Sequence, residues 1–120
     1  MNKREIGKIG EEIAKDYLEK NGIKIIDKNY FSKYGEIDLI GFENRTIIFI
    51  EVKLRNNIEF GSVCESVTES KIMKIYDASK DFLSNTELDY DDCRFDVILI
   101  NSDKDCSNCR IEWLKNQYFN

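Results

Sequence analysis

The chain has 120 residues, of which 42% are hydrophobic and 34% charged, and its formal net charge is −5. That length predicts one domain, residues 1–120, around one core, and no run approaches the roughly 18 apolar residues of a membrane helix. The acidic balance, with a pI near 4.8 and a mean hydropathy of −0.49, argues against gripping nucleic acid through the overall field. It leaves room for a local basic surface around an acidic, metal-loading site. The chain contains no histidine, which excludes every Ser–His or Cys–His nucleophile system. Any catalysis must run on carboxylates, lysine, tyrosine or a metal.

The N-terminal stretch MNKREIGKIGEE turns acidic and amphipathic at once and lacks an apolar h-region, so a secretory signal is not expected and the cytoplasm is the expected compartment. Residues 3–20 read as a helix, with Ile6, Ile9, Ile13, Tyr17 and Leu18 at helical spacing and Asn21-Gly22 as its stop. Its apolar stripe is expected to centre near Ile6, Gly10, Ile13 and Tyr17. Glu12 then points into water, and Glu11 falls at the margin beside Gly7, Ala14 and Leu18.

Residues 23–31 follow as a short extended segment, and residues 36–43 and 46–55 as strands joined at Asn44-Arg45. Ser66-x-x-Glu69 has the form of a capping box for a helix running to about Leu83. The apolar stripe of that helix is Ile72, Ile75, Tyr76, Ser79, Phe82 and Leu83. An acidic loop over 84–92 precedes a buried strand at 94–101 and another at 110–114. The order αβββαββ combines a hairpin with a strand–helix–strand crossover and predicts an α/β fold, a mixed central β-sheet flanked by helices. The four cysteines, 64, 93, 106 and 109, include one isolated CxxC. With no second pair and no histidine, they read as reduced thiols rather than as a metal site.

Charges intrude on the two apolar runs of the hairpin: Asp38 in the first, Glu51 and Lys53 in the second. With a two-residue turn at Asn44-Arg45, residues whose numbers sum to 89 face each other. Asp38 then opposes Glu51, Glu36 opposes Lys53, and the four project from one face at one end of the hairpin. Opposed carboxylates repel unless a cation lies between them. A hard divalent ion such as Mg²⁺ or Mn²⁺ would remove the conflict. Lys53 could then contact a phosphate or help deprotonate water, a combination suited to phosphodiester hydrolysis. Glu11 is placed either to join as a further carboxylate or to remain an ordinary glutamate at the helix margin. The plain alternative is a set of solvated strand-end charges, although Ile47–Ile50 is apolar on both faces, as in a central strand.

Asp38, a spacer and then Glu51-Val52-Lys53 resemble the PD-(D/E)xK signature of restriction-endonuclease-like nucleases, with Ile37 where the signature has proline. A narrower match covers nearly the whole chain. Gly7-x-x-Gly10-Glu11-x-x-Ala14-x-x-Tyr17-Leu18, Gly35-Glu36-Ile37-Asp38-Leu39-Ile40 and Phe49-Ile50-Glu51-Val52-Lys53-x-Arg55 closely resemble the YraN-like (UPF0102) family. Phe60-Gly61-Ser62, Thr68-x-x-Lys71 and Arg94-Phe95-Asp96-Val97 continue the match. That family is similar in fold to archaeal Holliday junction resolvases.

The resemblance implies a restriction-endonuclease-like three-layer core and catalytic positions at Asp38, Glu51 and Lys53, with Glu11 added. It implies a metal held by Asp38, Glu51, Glu11 and the Val52 carbonyl, and DNA, branched or junction DNA included, as substrate. Junction cleavage would also imply a homodimer, although no sequence feature marks its surface. Arg55, Lys71 and Lys74 either contact phosphates or are ordinary surface charges. Glu36 could also border the substrate. Arg94 and Asp96 form either a structural ion pair or part of the substrate wall. Tyr30, Phe31 and Tyr34 stack on splayed bases or belong to the core. The rival function is a non-catalytic nucleic-acid- or protein-binding module on the same fold. A phosphodiesterase for RNA or a small nucleotide is a third reading.

Overall fold

The computed structural model describes residues 2–55, 69–103 and 108–117. Helix α1, Lys3–Lys20, opens on Asn2, whose side chain accepts from the Glu5 amide at 2.9 Å and donates to the Glu5 carboxylate at 3.1 Å. This satisfies an amide that has no partner within the helix. The helix closes on Gly22 at φ +90°, with the Gly22 and Ile23 amides donating to the carbonyls of Glu19 and Leu18. Ile23 and Leu18 are both buried in one apolar cluster, the contact that accompanies such a glycine-terminated helix end.

Five strands form one sheet in the order β1-β2-β3-β4-β5. They are β1 Lys24–Phe31, β2 Glu36–Glu43, β3 Thr46–Arg55, β4 Asp92–Ser102 and β5 Cys109–Leu114, with α2, Glu69–Asn85, between β3 and β4. Among the described residues the order is αβββαββ, as expected. β3 and β4 are parallel, and the other three pairings are antiparallel. Helix α2 supplies the crossover that a parallel pair requires. Central strand β3 buries Ile47, Ile48, Phe49 and Ile50 in succession because both of its faces are covered. Ala14 and Leu18 of α1 pack with Leu39, Ile48, Ile50, Ile98 and Ile100 on one face. Ile75 and Ala78 of α2 pack with Ile37, Ile40, Ile47, Phe49, Phe95 and Val97 on the other. The result is a three-layer α/β arrangement. Among the described residues, no helix is long and apolar enough to cross a membrane.

The hairpin turn is as tight as the register requires. Asn44 and Arg45 have φ of 50° and 65°, the pair of positive values that a type I′ turn needs. The pairing runs from Glu43↔Thr46 to Leu39↔Ile50, each pair summing to 89 as expected. Arg45 then ties the turn to the acidic loop. Its guanidinium donates to both Asp89 and Asp91 at 2.9–3.1 Å, and its carbonyl accepts from the Asp91 amide.

Two helix stripes differ from expectation. The buried line of α1 is Gly10, Ala14 and Leu18, with Ile6, Ile9, Ile13 and Tyr17 only half-buried beside it. The reason is close approach: a Cβ on Gly10 would lie 2.9 Å from Leu54 Cβ, so the smallest side chains, rather than the largest, face the sheet. On α2, Ala78 is buried whereas Tyr76 is 42% exposed. The capping box at 66–69, the Phe60-Gly61-Ser62 and Thr68 matches, Cys64 and Cys106 lie outside the described residues, except that Glu69 does begin α2.

Candidate active site

The site arises where the regular hairpin ladder stops. Continued past Leu39↔Ile50, the ladder would give the Val52 amide to the Ile37 carbonyl. Instead, the Asp38 carboxylate accepts that amide at 2.8 Å. On the other side of Asp38, β1 shows the matching irregularity: Asn29 stands at φ +52°, between the pairs Lys28↔Leu39 and Tyr30↔Ile37. Asn tolerates this left-handed conformation better than most residues.

The consequence corrects the expected single face. Ile37 and Ile40 both pack on the α2 side and Leu39 on the α1 side, so strict alternation breaks at Asp38. Glu36 and Asp38 therefore gather with Glu11 of α1, one carboxylate oxygen of each lying within 4.8 Å of the others. Glu51 and Lys53 alternate with Val52 and Leu54, which pack toward α1, and so turn toward α2. There, Lys71 Nζ lies 2.6 Å from Glu51 Oε1, and Lys53 Nζ lies 3.6 Å from the same oxygen. The two half-sites meet at the end of the sheet in one cavity of about 480 Å³, lined by Ile6, Gly7, Glu11, Asp38, Glu51, Val52, Lys53, Leu54 and Lys71.

The electrostatics are those of an acid-rich site short of positive charge. Burial, followed by the charges of Glu51, Glu11 and Glu36, drives the Asp38 pKa up to about 7 despite the stabilising Val52 amide. Glu11 is also raised, chiefly by burial, while an Asn29 hydrogen bond opposes the shift. Lys53 is held below the ordinary lysine range, first by burial and then by neighbouring Lys71, against the pull of Glu51. Burial opposes the charge on Lys71 too, but its bonds to Glu51 and Lys53 leave it raised. Glu51 itself is only 7% exposed, and its Oε2 has no hydrogen-bond partner. A buried carboxylate oxygen without a partner is costly, and this one faces a cavity that a cation or water can enter.

The other expected residues fall elsewhere. Lys74 lines a neighbouring recess of about 340 Å³ with Gly35, Glu36, Ser70, Lys71 and Ile75. Arg55 ends β3 opposite Asn101 and is not among the cavity-lining residues. Arg94 donates through Nε to Asp96 at 3.1 Å, on the strand side that packs toward Trp113, so this pair is structural. Tyr30 is also structural: it packs edge-on to Phe82 at 5.3 Å and donates to Asp81 at 2.6 Å. Phe31 and Tyr34 are exposed, at 79% and 41%. Cys93 is an exposed free thiol and does not line this cavity. Sequence reasoning missed Asn29 and the grip of Lys71 on Glu51. The only signal for Asn29 was an Asn between Lys28 and Tyr30 in a strand, and the Lys71–Glu51 contact joins residues distant in sequence.

Comparison with known proteins agrees with the match seen in the motifs. Residues 10–100 match the model of "Uncharacterised protein family UPF0102". A UPF0102 protein of Dichelobacter nodosus is 40% identical over 119 residues, 99% of this chain and 93% of its own length. One from Vibrio parahaemolyticus is 42% identical over 117 residues, covering 97% and 93%. One from Clostridioides difficile is 46% identical over 98 residues, covering 82% and 86%. The matched segment contains Glu11, Asp38, Glu51, Lys53 and Lys71, and the chain belongs to the UPF0102 family.

Proposed function

We propose that the protein is a divalent-metal-dependent nuclease that hydrolyses phosphodiester bonds in DNA. The observation carrying this reading is the unpartnered Oε2 of buried Glu51, in the same cavity as Asp38, Glu11 and Lys53. The donor set fits Mg²⁺ or Mn²⁺: all the side-chain donors are carboxylate oxygens, as hard cations prefer, and no imidazole is present in the chain. Asp38, Glu51 and Glu11 would hold the ion, with the Val52 carbonyl beside them and Glu36 next to Glu11. When bound, the ion supplies positive charge that polarises a phosphate and acidifies water.

The chain's own groups do the rest. Asp38 is tethered by the Val52 amide, so its second oxygen is held in place rather than free to rotate. Lys53 Nζ lies 3.6 Å from Glu51 Oε1 in the cavity that Asp38 also lines, where it can orient a water or accept its proton. Its depressed pKa makes the neutral, proton-accepting form more accessible than for an ordinary lysine. Ile6, Leu54 and the Gly7 rim form the apolar margin, and a Cβ on Gly7 would meet nothing within 4 Å, so the cavity mouth is open at that point.

The test is cleavage of linear and branched DNA with Mg²⁺ or Mn²⁺. Asp38→Ala and Lys53→Ala should each lose about 10²-fold or more in rate, the scale of a lost acid–base or charge-stabilising group. Equal cleavage by all three proteins would reject the assignment. RNA and a cyclic dinucleotide in the same assay decide whether the substrate class is narrower than phosphodiesters in general.

A further inference from the structure

Lys71 belongs to α2, yet it is the cation closest to Glu51 on the central strand, at 2.6 Å. Two features set this ion pair apart from an ordinary salt bridge. Lys71 engages only one oxygen of a side chain that is 9% exposed, leaving Oε2 without a partner. The lysine itself is 38% exposed at its side chain and borders two spaces, the main cavity and the recess it shares with Lys74. Its ammonium thus has somewhere else to go.

Charge favours a cation in this cluster. Four carboxylates, Glu11, Glu36, Asp38 and Glu51, meet two ammonium groups, Lys53 and Lys71. With all six groups ionised, the excess is two negative charges, which one divalent cation would neutralise. A cation on Oε2 and Lys71 on Oε1 repel each other across one carboxylate, so the two compete for Glu51. A lysine head on a flexible four-carbon stem is the group most easily displaced.

We propose that Lys71 is a resident counter-ion of Glu51 that yields to the divalent cation and swings into the recess beside Lys74, where it binds a phosphate of the substrate strand. The inference rests on the metal-dependent reading above. Lys71 shields a buried carboxylate while the site is empty of metal, and lowers metal affinity as a result. Substrate strengthens metal binding because its phosphate gives the released ammonium a new partner, and by linkage metal strengthens substrate binding equally. Lys71 and Lys74, at i and i+3 on one helix, lie on the same side of α2, so the two ammoniums can take one phosphodiester between them.

Calorimetric Mn²⁺ titration of the full chain without nucleic acid tests this with no catalytic readout. Lys71→Met should bind Mn²⁺ about tenfold more tightly than wild type, the effect of removing a competing charge worth roughly 1.4 kcal/mol. Lys71→Arg, which keeps the counter-ion, should stay near wild type. Lys74→Met, which removes a charge not engaged with Glu51, should do the same. Should Lys71→Met be poorly folded, Lys71→Gln serves, and its thermal unfolding should rise more with Mn²⁺ than that of wild type. Adding a phosphorothioate-protected oligonucleotide should tighten Mn²⁺ binding to wild type but not to Lys71→Met. Equal or weaker Mn²⁺ binding by Lys71→Met, with wild type binding well, overturns the exchange and leaves the metal reading standing. Absence of Mn²⁺ binding in every variant overturns both.

Discussion

Two carboxylates are buried on adjacent central strands, Asp96 on β4 and Glu51 on β3, and they are treated in opposite ways. Asp96 is fully buried and fully occupied: it accepts from Arg94 Nε, from Trp113 Nε1 at 2.9 Å and from the Asn116 amide at 2.9 Å. Those bonds pin β5 and the segment after it to β4. Glu51 is nearly as buried, but one of its oxygens is shared by two lysines and the other has no partner. A charge whose bonds are all made within the chain holds the fold together. One whose bonds are left open leaves room for a further partner, as Glu51 Oε2 does. Both carboxylates occur on strands with near-continuous apolar runs, and hydrophobic patterning does not separate them. Their partners do.

Substitutions that act on one of the two sites but not the other sharpen this contrast. Asp96→Ala strands Arg94 in a partly buried position and frees Trp113 and Asn116, so it should lower stability by about 3–5 kcal/mol in urea unfolding. A loss below about 1 kcal/mol would mean that the network adds little. Glu51→Gln should do the reverse. Its stability without metal should remain within about 1 kcal/mol of wild type, since Lys71 is partly solvated, while the rise in Tm produced by Mn²⁺ disappears.

A pH series separates the two regions further. Asp38 titrates near 7 in the folded chain against 3.8 when unperturbed, so the folded protein binds that proton more tightly than the unfolded one. This contribution is complete below about pH 4 and is lost as pH rises through 7, by up to about 4 kcal/mol between the limits. Asp38→Asn keeps an acceptor for the Val52 amide and does not titrate. It should therefore be more stable than wild type at pH 8, with the advantage shrinking toward pH 5; a gap independent of pH would contradict the cause assigned here. The smallest effect belongs to the exposed Arg45 clamp. Arg45→Ala should lower Tm only slightly, and less in high salt, because its partners Asp89 and Asp91 are solvated.

Much of the frame was legible from local pattern. The glycine after Asn21 ends α1, the apolar run 47–50 reads as a doubly covered strand, and a two-residue turn at Asn44-Arg45 fixes the hairpin register. Glu11 was legible because small neighbours on its helix signal close approach, although the same small residues also rotate α1 so that Gly10, Ala14 and Leu18 face the sheet. Period-two reasoning failed at Asp38. There a side chain rather than a carbonyl takes the Val52 amide, the alternation of β2 breaks, and Glu36 joins Glu11 instead of facing Lys53. No local pattern encodes that exchange of partners, nor the contact between Lys71 and Glu51, which depends on how α2 crosses the sheet.

The central claim, that Glu51's unfilled oxygen and the acidic group around Asp38 together hold a divalent cation, is tested most directly by a crystal grown with Mn²⁺. Anomalous scattering should show an ion contacting both Asp38 and Glu51, with Lys71 displaced from Glu51 Oε1. An ion bound only outside this cavity, or none at saturating Mn²⁺ with Lys71 still paired to Glu51, would contradict the account.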